Sequence, residues 1–255
     1  MKSLYMVGLF LVAGALMADP KADQLARLAL ERKTPVDMVS VSTMVISDQS
    51  GVSKVRKMKA VTKETTEGTK SYTEFVEPAD VNGTKFVSVS KKGSETDQRM
   101  YLPALKKVRK ISSSAKDGEF MGSDLNYFDM EKRYFEDATY SLLSEDESLD
   151  AVPGIKLSKL VSTYAVKGAP YTKAVSWIDP ATGIAYKTEL YDKKDGALLK
   201  LITVDEVKTI KGYVMITKST ISNVKKGSKT VSDMSDLQVD VGIKDSEVSL
   251  KRLEQ

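Results

Sequence analysis

From Val36 to Val241 the chain is a near-continuous succession of short period-two segments separated by turn residues, a rhythm that only an extensive sheet can satisfy. The first segment carries Val36, Met38, Met44 and Ile46 on one parity and Val39, Val41 and Val45 on the other, so both of its faces are apolar. Val55 to Lys63 alternates more plainly, with Met58 and Ala60 between charged or polar neighbours. Further strands are predicted at Lys70 to Val76, Lys85 to Ser90, Gln98 to Leu102 and Lys106 to Ile111. After a break they resume at Lys159 to Val166 and Tyr171 to Ile178, and the DPATG turn leads into Ile184 to Tyr191. The DKKDG turn leads into Ala197 to Val204, and long strands follow at Lys211 to Asn223 and Lys229 to Val241. With about eleven strands, no linker and no internal repeat, the pattern suits one antiparallel barrel or sandwich.

Two stretches depart from this rhythm. Ala22 to Lys33 places Leu25, Leu28, Ala29 and Arg32 at helical spacing and stops at Thr34-Pro35. Asp124 to Leu143, rich in aromatic and helix-compatible residues, predicts one or two short helices, and the acidic run Glu145 to Asp150 a solvated loop. At the end of the chain Asp245 is placed to cap a short helix containing Val248, Leu250 and Leu253. The helices are available to cover an open face of the sheet.

Ahead of the strands, Lys2 followed by the uncharged apolar stretch Leu4 to Met17 and by Ala18 predicts a leader, residues 1–18, cleaved before Asp19-Pro20 on export. Residues 19–255 are then read as one domain. The sequence contains no cysteine, so disulfides cannot hold an exported chain together and its own core must. It contains no histidine either, which excludes a Ser-His-Asp triad, a Cys-His dyad, and zinc or haem sites built on imidazole or thiolate. Carboxylate pairs and Ser-Lys dyads survive that exclusion, but no spacing gathers one. The reading is therefore of a protein that is not an enzyme and has neither metal nor cofactor. A formal charge of +4, or +3 without Lys2, is too small to predict a nucleic-acid partner.

Three stretches carry the rest of the signal. In FVEPADVNGTKF (Phe75 to Phe86), Pro78, Asp80, Asn82 and Gly83 are turn residues between strands, which makes the segment a hairpin loop or the rim of a cavity. In RMYLPALKKVRKI (Arg99 to Ile111), Tyr101 and Leu102 stand beside Lys106, Lys107, Arg109 and Lys110. These cations are either a solvated strand face or a contact for an anionic lipid headgroup or a partner. In FMGSDLNYFDM (Phe120 to Met130), Ser123 or Asp124 caps the following helix, while Phe120, Met121, Tyr127 and Phe128 are either core or a movable cover. Trp177 is read as core.

These three runs, in this order, resemble the central motifs of the LolA-like outer-membrane lipoprotein-sorting proteins, specifically over residues 75 to 130 and loosely on either side. The SEVSLKRLEQ ending departs from the family in lacking an aromatic residue before the basic one. The resemblance implies a mainly β fold: a single curved antiparallel sheet forming an incomplete, half-open barrel covered by helices, with an apolar interior that receives acyl chains. It implies a periplasmic, non-catalytic carrier of a lipoprotein or lipid, with a membrane transporter or outer-membrane acceptor as further partner and the monomer as the favoured state. Phe75, Phe86, Tyr101, Leu102, Phe120, Met121, Tyr127 and Phe128 become candidates for the acyl cavity or its cover, and Lys106, Lys107, Arg109 and Lys110 for headgroup or partner contact. The alternative is an envelope module that uses the fold as a scaffold for protein contacts. An open apolar cavity favours the carrier, and a solid interior favours the module.

Overall fold

A computed structural model of the chain describes residues 19–254; the proposed leader lies outside them. One helix, α1 (Pro20–Leu30), precedes β1 (Asp37–Ser47), β2 (Ser53–Thr65), β3 (Gly68–Glu77), β4 (Lys85–Lys91), β5 (Asp97–Leu102) and β6 (Lys107–Lys110). A long connection then leads to β7 (Ala138–Glu147), β8 (Leu157–Tyr164), β9 (Tyr171–Ile178), β10 (Ala185–Asp192), β11 (Leu198–Ile210), β12 (Tyr213–Asn223) and β13 (Ser228–Val239). Among the described residues these form one thirteen-stranded sheet in the order β6-β5-β4-β3-β2-β1-β13-β12-β11-β10-β9-β8-β7. It is curved, antiparallel and unclosed, with β6 and β7 as its two edges.

The chain thus builds the sheet outward from β1 to one edge, crosses over, and returns from the other edge to pair β13 with β1. Neighbours in sequence are neighbours in the sheet, so short hairpins suffice nearly everywhere. Only residues 111–137 make a long crossing. They run over the inner face of the sheet, which explains why Phe120 and Phe128 are buried although this stretch has little regular structure.

β7 is where the sequence reading needs correction. The helices expected over Asp124 to Leu143 are two single 3₁₀ turns, Phe128–Met130 and Phe135–Asp137, and a strand then occupies the stretch read as helix and acidic loop. Ser123 and Asp124 cap no helix: Met121 and Gly122 turn the chain at φ 54° and 74°, and the Ser123 hydroxyl donates to the Phe120 carbonyl at 2.6 Å. As an edge strand β7 keeps one face wet, with Thr139, Ser141, Leu143 and Glu145 exposed, so its acidic end is compatible with pairing to β8.

Two segments cover the outer face. Asp37 accepts from the backbone N–H groups of Val241, Gly242 and Ile243 at 2.7, 3.1 and 3.0 Å, redirecting the chain after β13. The tail then forms 3₁₀ turns at Asp245–Val248 and Leu250–Glu254, the first preceded by Lys244 rather than capped by Asp245. Leu253 packs with Tyr72 and Val87 behind β3 and β4. On the other half, the loop carrying Leu149, Val152 and Ile155 packs on Leu157, Val175 and Trp177, and the indole is flanked by Lys159 and Lys187.

Candidate functional site

The inner face divides into a solid half and a hollow half. In the solid half Phe75, Phe86 and Phe120 are almost wholly buried with Met44, Met58, Met100 and Val81. Phe120 is the hub, with ring centroids 5.8 Å from Phe75, 5.1 Å from Phe86 and 5.9 Å from Tyr127. Leu102 and Met121 pack on the periphery of this cluster. Val81 enters it because the Pro78 to Thr84 turn folds back, with Gly83 N–H donating to the Phe75 carbonyl at 2.9 Å. Phe128 belongs to a neighbouring cluster with Tyr171, Ala174 and Leu190. Tyr101 is on the outer face, against Val108 and Leu253.

The segment read as either core or a movable cover is fastened across the sheet by buried hydrogen bonds. Asp124 accepts hydrogen bonds from Thr230 (2.7 Å) and Ser228 of β13. Asp129 accepts from Tyr171 (2.8 Å) and from the buried ammonium of Lys200 (2.8 Å), and Asn126 donates to the Tyr171 hydroxyl at 3.0 Å. Burial, then the adjacent Asp129 charge, raises the Tyr171 pKa far above the ordinary phenol range, so its hydroxyl remains a donor to Asp129 at any physiological pH.

The four cations take a different place. Lys106 sits in the left-handed conformation at φ 48°, and Lys107, Arg109 and Lys110 belong to the edge strand β6, all four exposed. Lysines on a short edge strand discourage pairing with other chains. No wall of the cavity described next is made by these residues or by the eight candidates above.

That cavity, about 270 Å³, lies between α1 and the inner face of the second half of the sheet. It exists because small side chains meet from both sides. The helix contributes Ala26 and Ala29, and the strands contribute Ser162, Ala174, Ser176 and Ala185, with larger apolar walls at Tyr140, Leu160 and Ile178. The polar groups are quiet: the Ser176 and Thr188 hydroxyls lie 3.0 Å apart and bond to each other, and burial pushes the Tyr164 phenol up to about 12. Arg32 donates to the Val214 carbonyl at 2.6 Å. Such a lining can hold hydrocarbon, with Arg133, Tyr134 and Asp137 as its remaining polar wall. A larger cleft, about 430 Å³, opens beside Asp124, Lys200 and Lys226, and its walls mix these charged side chains with Leu125, Ala169 and Leu199. Among the described residues no group of three or more acidic side chains is gathered so as to hold a metal ion.

The helix is held at its ends and one face. Asp19 is its N-cap, accepting from Ala22 N–H at 3.2 Å, and Pro20 begins the first turn. The second Asp19 oxygen accepts from Leu142 N–H of β7 at 3.0 Å, so one carboxylate caps the helix and also fastens it to the sheet edge. Ala22, Leu25 and Ala26 pack on Leu160 and Ile178, and Arg27 lies 3.7 Å over the Phe135 ring. The turn between β9 and β10 touches the helix backbone: a Cβ on Gly183, whose φ is +73°, would come within 2.6 Å of the Leu28 carbonyl oxygen.

Sequence reasoning missed both this cavity and its cap. The Asp-Pro pair was a legible helix start, but it coincides with the expected leader junction. The small inward residues are scattered over α1 and several strands and become one wall only through the register.

An unclosed antiparallel sheet with a helix over an apolar hollow defines a half-open barrel. A family profile described as that of an "Uncharacterized protein" matches residues 67–255. Among solved structures, the chain is 30% identical to an outer membrane lipoprotein-sorting protein domain from Vibrio parahaemolyticus, with a TM-score of 0.86 over 92% of this chain and 99% of that one. A DUF1329 family protein from Desulfovibrio piger is also 30% identical, with a TM-score of 0.84 over 92% and 98%. A LolA superfamily protein from Nitrosomonas europaea shares the fold at 19% identity, with a TM-score of 0.71 over 91% and 98%. No curated protein matches the sequence. The chain belongs to the LolA-like outer-membrane lipoprotein-sorting protein family.

Proposed function

We propose that the protein is a periplasmic carrier that holds the acyl chain of a lipid or lipoprotein beneath α1 and moves it between envelope membranes without a catalytic step. The observation that carries this reading is the apolar cavity of about 270 Å³ under α1. A sixteen-carbon chain left in water carries a gross penalty of roughly 12 kcal/mol, at about 0.8 kcal/mol per methylene. An apolar, water-excluding site offsets much of that. Ligand pockets commonly span about 300–1,000 Å³, so this cavity is at the small end and a full chain requires α1 to lift. The helix suits that task better than the fastened segment 120–130, since it adjoins the sheet mainly at β7 and β8. Release then depends on a membrane or partner that favours the lifted state.

The test is purification under native conditions, solvent extraction and mass spectrometry, followed by titration with an acylated peptide and a free lipid. Co-purifying or tightly bound acyl species support the carrier. If no acyl species co-purifies and neither ligand binds, the reading fails. The solid Phe75–Phe86–Phe120 half favours the second reading, a scaffold for protein contacts, which would then stand.

A further inference from the structure

The apolar cavity adjoins chemistry of another kind. Arg133, Tyr134 and Asp137 line it and also line a second chamber of about 300 Å³, whose remaining walls include Glu95, Lys116, Glu131 and Lys167. A tail site and a chamber rich in charged side chains therefore share one wall. That juxtaposition fits an amphiphile, and the state of the charges says which sign its head carries.

Each carboxylate of the chamber already has cations or donors. Glu131, with its side chain 5% exposed, is 2.7 Å from the Lys116 ammonium and also pairs with Arg133. Glu95 accepts from the Ser113 hydroxyl and lies 3.5 Å from Lys116, contacts that hold its pKa below the ordinary carboxylate value. Glu136 is 2.8 Å from Lys92. Asp137 accepts from the Tyr134 N–H at 2.9 Å and lies 3.9 Å from Arg133. Of the cations, Lys116 is used by these acids and Lys132 is 3.4 Å from Glu64. Glu131 Oε1 and the Tyr134 hydroxyl are also buried without a hydrogen-bond partner, but the first is neutralised by Lys116 at 2.7 Å and the second can itself donate, so what remains is chiefly donor capacity. The Arg133 Nε is buried without a hydrogen-bond partner, and the exposed Lys167 has no ion pair among the described residues. A buried donor left unmet is unfavourable, and a carboxylate or phosphate oxygen is the acceptor that relieves it best.

We infer that the ligand is an amphiphile whose acyl tail lies under α1 and whose anionic headgroup, a carboxylate or a phosphate, is held at Arg133 with Lys167 beside it. The inference rests on the carrier reading and sharpens it. A neutral glyceride would fill the tail site and leave these donors unmet.

The experiment is displacement of a fluorescent acyl probe by three single-chain amphiphiles with the same tail: palmitate, palmitoyl lysophosphatidic acid and monopalmitoylglycerol. At least one anionic amphiphile is expected to bind about tenfold tighter than the neutral one, as a charge-assisted hydrogen bond implies. The tighter of the two identifies carboxylate or phosphate as the source. In Arg133→Gln the gap between anionic and neutral ligands should collapse. Should that variant fail to fold, Lys167→Gln, a change at an exposed side chain, should narrow the gap, and an unchanged gap counts against the inference. Equal binding of all three amphiphiles to the unaltered protein overturns the headgroup assignment and leaves the carrier reading intact. Binding of none overturns both.

Discussion

Asp129 shows how much a single buried carboxylate organises here. It joins the crossing segment to β9 through Tyr171 and to β11 through Lys200, whose side chain is 5% exposed. Asp129→Asn would retain an acceptor for Tyr171 and leave the Lys200 ammonium buried without its anion. Breaking a buried pair in this way costs about 3–5 kcal/mol, so the urea midpoint should drop sharply with little change in slope. A change under 1 kcal/mol, on the order of a solvated surface pair, would show that water reaches the site. Ala29 gives the complementary case, a small residue that keeps space open. Ala29→Phe should displace several methylenes of ligand at about 0.8 kcal/mol each and weaken acyl binding by at least about tenfold, as read by probe titration. At this scale the sequence conveys that Phe75, Phe86 and Phe120 are bulky and apolar, hence buried. It does not convey that Ala26, Ala29, Ala174 and Ser176 converge, because an alanine facing a cavity and one facing a neighbour read alike.

Helix α1 is the element on which the proposed function turns, and its attachments are specific enough to test. Gly183→Ala combines an unfavourable positive φ with a Cβ placed 2.6 Å from the Leu28 carbonyl oxygen. The expected result is a loss of about 1–3 kcal/mol, with faster amide exchange in α1 than in β1 or β13. Uniform destabilisation would show that the helix and sheet open as one unit. The Asp19 carboxyl is held below its ordinary value chiefly by the Leu142 N–H and next by the Ala22 N–H. Its contribution is therefore complete above the unfolded value of about 3.9 and is lost as pH falls through the lowered folded value. In an NMR titration the Leu142 amide should report a midpoint below about 3.9, and Asp19→Asn should abolish it; a midpoint at or above that value would mean the contact does not form in solution. Most elements were legible because period-two alternation survives in strands with one wet face. β7 was not, since Tyr140, Leu142 and Leu143 lie next to an aromatic stretch that also fits a helix. Its partner β8 and the cap from Asp19 decide the matter, and both are remote in sequence.

Over the whole molecule, the sheet is one structure with two interiors. The half built from β1 to β5 is filled by its own aromatic and Met side chains together with Phe120 of the crossing segment, and the half built from β7 to β12 is hollow beneath a helix. The three sequence motifs belong mainly to the filled half. They identified the family correctly because they shape its turns and core, while the cavity that suits a ligand is formed by residues outside them. This division yields the most direct test of the account. The protein should be photolabelled with a diazirine-bearing palmitoyl ligand and the adducts located by peptide mass spectrometry. The account predicts adducts on α1 and on the inward residues of β8 to β10, such as Ala29, Leu160 and Ser176. Adducts confined to the peptides carrying Phe75, Phe86 and Phe120, or no saturable labelling at all, would contradict it.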